Sequence, residues 1–304
     1  MKIEKKTINI CIPIYNESEN LPKLINDLED YLQSTKHNKN FVFDITFYDD
    51  GSIDESKKIL SETNYNFMSA WENIGLGNAL RELINFSFQE NYSGLIKLDG
   101  DGQMNVKEID NFLDIVIEEN VDVIYGNRFK SNKKYKMPLF RKIGSIFFKF
   151  VLKVYSIKIN DPTNGFIYLS NKFLRNSKIF GNYNAAQQIL VDASLRNLYI
   201  REVSVNLNER KSGESFIGIK YPIIVMSSLL LLTLHRLTNR LLTVPGFIMI
   251  FLGFALLIYD IYLWLSRKSE VIITNEILYL LIIGGIQLVI LGMIFEYFKN
   301  RNNV

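Results

Sequence analysis

An α/β domain followed by two membrane-spanning helices is the architecture the sequence predicts, and three observations predict it. Short apolar runs alternate with amphipathic helical stretches, polar clusters fall directly after the apolar runs, and two long, nearly uncharged apolar stretches occupy the last quarter.

The elements follow in order. "TINICIPIY" reads as a strand, "SENLPKLINDLEDYLQS" as a helix opened by Ser18, "FDITFYDD" as a strand and "SIDESKKILSE" as a helix. Then come "NALRELINFSFQE" (helix), "GLIKLD" (strand), "VKEIDNFLDIVIEE" (helix) and "VDVIYGN" (strand). This rhythm predicts a parallel sheet, whose ligand sites gather beyond the carboxyl ends of its strands. Asn16 and Glu17, Asp49 and Asp50, and Asp99 and Asp101 all fall at such ends. No G-x-G-x-x-G opens a helix and no Walker A lysine loop occurs, which excludes the common dinucleotide and P-loop motifs.

With 304 residues, 48% hydrophobic content and a mean hydropathy of +0.05, the chain is more apolar than a water-soluble enzyme needs. The excess lies in residues 241–265 and 277–298, each reaching the ~20 apolar residues of a spanning helix. Basic residues flank the outer ends ("HRLTNR", "KNRNNV"), while the connecting "SRKSEVIITNE" carries only Arg267 and Lys268, so both ends are expected on the cytoplasmic face. The first apolar run is too short for a signal peptide, and residues 1–220 are expected to stay cytoplasmic. The net charge is +3, and no nucleic-acid partner is expected. The single cysteine, Cys11, is expected to pack inside a strand.

"KLDGDGQMNVKEID" sets Asp99, Asp101 and Gln103 two apart after an apolar strand. In an extended segment these side chains would share one face and could converge on a hard divalent cation, Mg²⁺ or Mn²⁺, completed by the phosphates of a nucleotide-diphosphate donor. A polar strand-end turn is the other reading of the same residues.

"IPIYNESENL", "YDDGSIDES", "NIGLGNAL", "DGDGQ", "YGNRF", "DPTNGF" and "REVSVNLNERKSGES", in this order over about the first 215 residues, resemble glycosyltransferase family 2. The resemblance is to its polyprenyl-phosphate glycosyltransferase branch, which includes dolichol-phosphate mannose synthases and undecaprenyl-phosphate glycosyltransferases. It implies a GT-A fold and metal-dependent, inverting transfer from a UDP- or GDP-sugar to a membrane polyprenyl phosphate, serving cell-envelope glycans or glycoconjugates. By match to family motifs, Pro13, Tyr15, Glu17 and Asp50 are expected at the nucleotide-sugar. Asp99, Asp101 and Gln103 are expected at the metal and diphosphate, and Arg210 towards the phosphates. Arg128, Arg141 and Ser145 match positions that bind the lipid phosphate, and the bet on catalysis is Asp99, Asp101 and Arg128. A guanidinium suits phosphate because its planar fork stays charged at any working pH.

Residues 139–156 combine Ile143, Ile146, Phe147, Phe150, Val151 and Val154 at helical spacing with four basic side chains, as a helix lying on an anionic leaflet would. In residues 222–240 the apolar run "PIIVMSSLLLLTL" is too short to span comfortably and ends in His235, Arg236 and Arg240, so they read as a second interfacial helix. The expected organisation is a cytoplasmic catalytic domain (1–215), a juxtamembrane helix (216–240), two spans (241–298) and a cytoplasmic tail (299–304) in the cell membrane. A homo-oligomer is compatible with it. Asp161 and Asp192 are weaker candidates for a base, with capping or hydrogen bonding as the alternative. Asn105, Val106, Asn127 and Phe216 depart from the family pattern without removing an expected ligand, but they weaken any transfer of sugar identity. A non-catalytic membrane scaffold is opposed by the acidic set. A processive polysaccharide synthase is opposed by the short membrane region and the lack of Gln-x-x-Arg-Trp.

Overall fold

The computed structural model describes residues 5–130, 149, 152, 157–182, 185–206, 221–266 and 276–301. They belong to two compact units, Met1–Leu232 and Thr233–Val304.

In the first unit the described strands are β1 (Lys6–Ile14), β2 (Phe41–Asp49), β3 (Asn66–Ser69), β4 (Gly94–Lys97), β5 (Val123–Asn127), β6 (Ile167–Ser170) and β7 (Ile200–Ser204). Between them run α1 (Leu21–Ser34), α2 (Ser56–Ser61), α3 (Leu76–Gln89), α4 (Ile109–Glu118), α5 (Asn171–Leu174) and α6 (Ala185–Leu195). The sheet order is β3-β2-β1-β4-β6-β5-β7. Strand β1 pairs in parallel with both β2 and β4, with Ile10 opposite Ile45 and Ile96, and β2 pairs in parallel with β3. The expectation of a wholly parallel sheet is corrected: β6 runs antiparallel between β4 and β5, with Lys97 opposite Ile167 and Ile124 opposite Tyr168. Side-chain periodicity reports which face a residue takes but not the direction of its strand.

Ser18 does not open α1. The helix begins at Leu21 with Pro22 in its first turn, where a missing amide hydrogen costs nothing. Ile8, Ile10, Ile12 and Ile14 of β1 alternate onto one face, where they pack with Leu24 and Leu28 of α1 and Phe112 and Leu113 of α4. Cys11 belongs to the opposite core with Leu80 and Leu83 of α3 and Ile189 of α6. Each fully buried aliphatic side chain contributes about 1.5–3 kcal/mol. Asn9 is equally buried, and it donates to Ser87 Oγ at 2.9 Å while accepting from Thr46 Oγ1 at 2.8 Å. Those bonds satisfy a polar group that would otherwise be costly there.

In the membrane region α7 (Tyr221–Leu265) and α8 (Glu276–Arg301) are the described helices. Residues 222–240 and the first apolar stretch lie on one unbroken helix, so the change at 240/241 is one of hydropathy rather than of backbone conformation. Leu242–Leu265 and Glu276–Ile294 are long and apolar enough to cross a membrane, and only 11% and 17% of their most apolar windows are buried. Helices of a soluble core bury such surface, so these two associate with a membrane. They approach closely at their glycines: a Cβ on Gly246 would stand 2.8 Å from the Gly285 carbonyl. Without water to drive association, such close packing of small residues holds membrane helices together.

Candidate active site

Strands β1, β2 and β3 step outward in one direction while β4 lies on the other side of β1, so the sheet reverses its winding between β1 and β4. A crevice opens beyond the carboxyl ends of strands at such a point. The loop after β1 carries Tyr15 and Glu17, and the loop after β4 carries Asp99, Asp101 and Gln103.

The first loop is stapled to the segment before α2. Asn16 N donates to Ser52 Oγ, Ile53 N to Asn16 Oδ1, Glu17 N to Ser56 Oγ and Ser18 N to Asp54 Oδ2, all within 2.9–3.0 Å. Burial raises the Asp54 carboxyl, but hydrogen bonds from Ser56 and Ser18 outweigh it and hold the pKa down to about 2. Pro13 is buried at the end of β1, Tyr15 is half-buried, and Glu17 Oε2 accepts from Asn20 Nδ2 at 2.6 Å. Asp50 is 4% exposed, and its two oxygens accept the amides of Ile74 (3.1 Å) and Gly75 (2.7 Å). Burial raises its pKa, and the two backbone amides partly offset that. Its carboxylate therefore fixes the loop leading into α3.

Residues 99–103 are not extended, contrary to the premise from which their convergence was expected. β4 ends at Lys97, a turn follows, and Gly102 takes a φ of 68°, a left-handed conformation that glycine adopts without strain. Gln103 N donates to Asp101 Oδ1 at 3.1 Å, and Asp99 N reaches Met104 Sδ at 3.3 Å. Asp99, Asp101 and Gln103 thus share one tight turn, all partly exposed. Their oxygens fit Mg²⁺ or Mn²⁺, which one or two carboxylates plus substrate phosphates normally hold. Among the described residues no three His, Cys, Asp or Glu side chains cluster to hold an ion unaided.

Sequence reading missed Lys97. It is 3% exposed at the end of β4, and its ammonium bonds Asp99 Oδ1. The available signal was a lysine closing an otherwise apolar strand two residues before a carboxylate.

Arg128, 8% exposed after β5, meets fully buried Asp161 twice: Nε to Oδ2 and Nη2 to Oδ1, each 2.7 Å. Nη2 also donates to Thr163 Oγ1 at 2.8 Å. Glu202 of β7 fixes the loop from below by accepting from Asn160 N at 2.6 Å and Asp161 N at 3.0 Å. Asn127 Oδ1 accepts from Phe129 N (2.9 Å) and Lys130 N (3.2 Å), closing the short turn that carries Arg128. The "DPTNGF" loop therefore touches both halves of the site: Asp161 at Arg128, and Gly165 beside Lys97 and Asp99. Asp192 lies in α6 and accepts from Arg196 at 3.3 Å. Arg141, Ser145 and Arg210 lie outside the described residues, as does most of 139–156, of which Lys149 and Leu152 are helical.

Residues 9–179 match the model of the family "Glycosyl transferase family 2". Among curated relatives, the UDP-N-acetylglucosamine–dolichyl-phosphate N-acetylglucosaminyltransferase of Methanococcus voltae is 26% identical over 66% of this chain and 85% of its own length. The polyprenol monophosphomannose synthase of Mycolicibacterium smegmatis is 24% identical over 68% and 79%. Mannosyl-3-phosphoglycerate synthase from Rubrobacter xylanophilus has the same fold, with a TM-score of 0.58, 11% identity and coverage of 77% of this chain and 75% of that one. Glucosyl-3-phosphoglycerate synthase from Mycobacterium tuberculosis, solved with Mn²⁺, UDP and glucosyl-3-phosphoglycerate, gives 0.54 at 13% identity over 76% and 80%. The expected GT-A architecture is thereby shared. The chain belongs to glycosyl transferase family 2 and is a glycosyltransferase similar to the dolichyl-phosphate and polyprenol-phosphate branch of that family.

Proposed function

We propose that the protein transfers a sugar from a UDP- or GDP-sugar to a polyprenyl phosphate in the cell membrane, with its catalytic unit on the cytoplasmic face. The observation that carries this is the Asp99–Asp101–Gln103 turn at the winding reversal between β1 and β4. The membrane-length helices and the names of the relatives support the lipid acceptor.

In this reading Pro13, Tyr15, Glu17 and Asp50 shape the nucleotide end, and Asp99, Asp101 and Gln103 hold Mg²⁺ or Mn²⁺ at the diphosphate. The ion, when bound, stabilises the charge that develops on the departing nucleoside diphosphate. Arg128 presents a guanidinium whose orientation Asp161 fixes, and Arg141, Ser145 and Arg210 join it by family resemblance alone. A phosphomonoester is largely ionised near neutral pH, so its oxygen needs no strong base. Asp161 fits no base role, because both its oxygens are engaged by Arg128. A single in-line displacement inverts the anomeric carbon, and the chain's part is positioning and charge stabilisation.

Membranes containing the full chain, incubated with radiolabelled UDP-, GDP- and CMP-sugars and then extracted for lipid, test the reading. A labelled lipid labile to mild acid is expected. Label confined to polymer or protein would overturn it.

A further inference from the structure

Lys97 is a cation built into the floor of the acidic turn. It is 3% exposed and sits in the middle of the sheet, opposite Cys11 of β1 and Ile167 of β6. Lysine is almost never buried to this degree without a partner, and its partner is Asp99 Oδ1. The loop that closes over the pair does so at Gly165. A Cβ there would stand 2.6 Å from Lys97 Nζ and 2.7 Å from Asp99 Oδ2, so only glycine leaves the contact undisturbed.

We propose that Lys97 is a positioning residue that shares Asp99 with the metal and keeps the cation site weak until the donor diphosphate arrives. The proposal rests on the metal role assigned above to Asp99 and Asp101. Two carboxylates and one ammonium leave a single net negative charge facing a divalent ion, too little to hold it firmly. A nucleoside diphosphate supplies the missing charge, so metal and donor load together. The same ion pair fixes the Asp99 side chain before either arrives, which removes an ordering cost from donor binding.

The test is Mn²⁺ binding to the full chain in detergent, read by electron paramagnetic resonance without nucleotide. Lys97→Met should tighten Mn²⁺ binding by about tenfold or more, as expected when one like charge is removed at close range near a protein surface. Lys97→Arg keeps the charge and should stay near wild type. Unchanged or weaker Mn²⁺ binding by folded Lys97→Met overturns the proposal. If that variant fails to fold, Lys97→Met/Asp99→Asn removes both partners and must bind Mn²⁺ more tightly than Asp99→Asn alone; equal or weaker binding overturns the proposal. Asp101→Asn separates the two levels. If it binds Mn²⁺ as well as wild type, the metal role falls and the proposal with it; if it loses Mn²⁺ while Lys97→Met gains nothing, only the proposal falls.

Discussion

Asp161 clasps Arg128 at two points, Oδ2 on Nε and Oδ1 on Nη2, each at 2.7 Å, and Asp161 has no exposed surface at all. The arginine expected at the acceptor phosphate is therefore also half of a buried ion pair. Arg128→Ala strands a buried carboxylate and should cost about 3–5 kcal/mol of stability. Replacing both residues by apolar ones should recover much of that loss. Urea unfolding of the purified chain, followed by circular dichroism across the double-mutant cycle, measures it. Equal stability of wild type and Arg128→Ala would contradict the pair's structural weight, and any acceptor defect should be read on folded Arg128→Lys.

Asp101→Asn should keep the fold and lose most turnover, because a neutral amide neither balances a divalent charge nor binds it as tightly. Steady-state transfer rates at ordinary Mn²⁺ concentration decide this. Near-normal activity would remove Asp101 from the metal site.

The acid limb of stability should depend on Asp54. Its folded pKa, about 2, lies below the ordinary carboxylate value of 3.8, so its contribution is fully present above roughly pH 4 and is lost as pH falls towards 2. Asp54→Asn should flatten the wild-type fall in stability between those values. An identical acid limb in both proteins would show that the staple between the β1 loop and α2 carries no linkage.

Cys11 should resist alkylation in the native chain. Burial pushes its thiol far above the ordinary range, and a hydrogen bond with Ser87 only partly offsets this. As the single cysteine in the sequence, it gives a clean readout with iodoacetamide. Labelling should appear only on unfolding; rapid labelling of folded protein would contradict the packing of β1 against α3.

Much of the fold was legible because β1, β2 and α1 announce themselves by length and period. β3 and β6, at four residues each, are too short for a period to register, and β6 also hides the antiparallel step. The acidic turn was legible as a set of residues but not as a shape, because Gly102's positive φ bends what the spacing alone reads as extended. Asp50 also accepts the amides of Ile74 and Gly75, contacts made across sequence that no local pattern displays. Lys97 and Asp161 were illegible as partners of Asp99 and Arg128 for the same reason. The sheet brings "DPTNGF" beside "LDGD" only after β6 inserts next to β4.

The most direct measurement uses the purified full chain with a polyprenyl phosphate, the donor that labels lipid, and Mn²⁺ or a chelator, with products weighed by mass spectrometry. The account predicts one sugar on one lipid phosphate, formed with Mn²⁺ and lost in chelator or in Asp101→Asn. A polymeric product, or a lipid product formed equally well by wild type and Asp101→Asn, would contradict it.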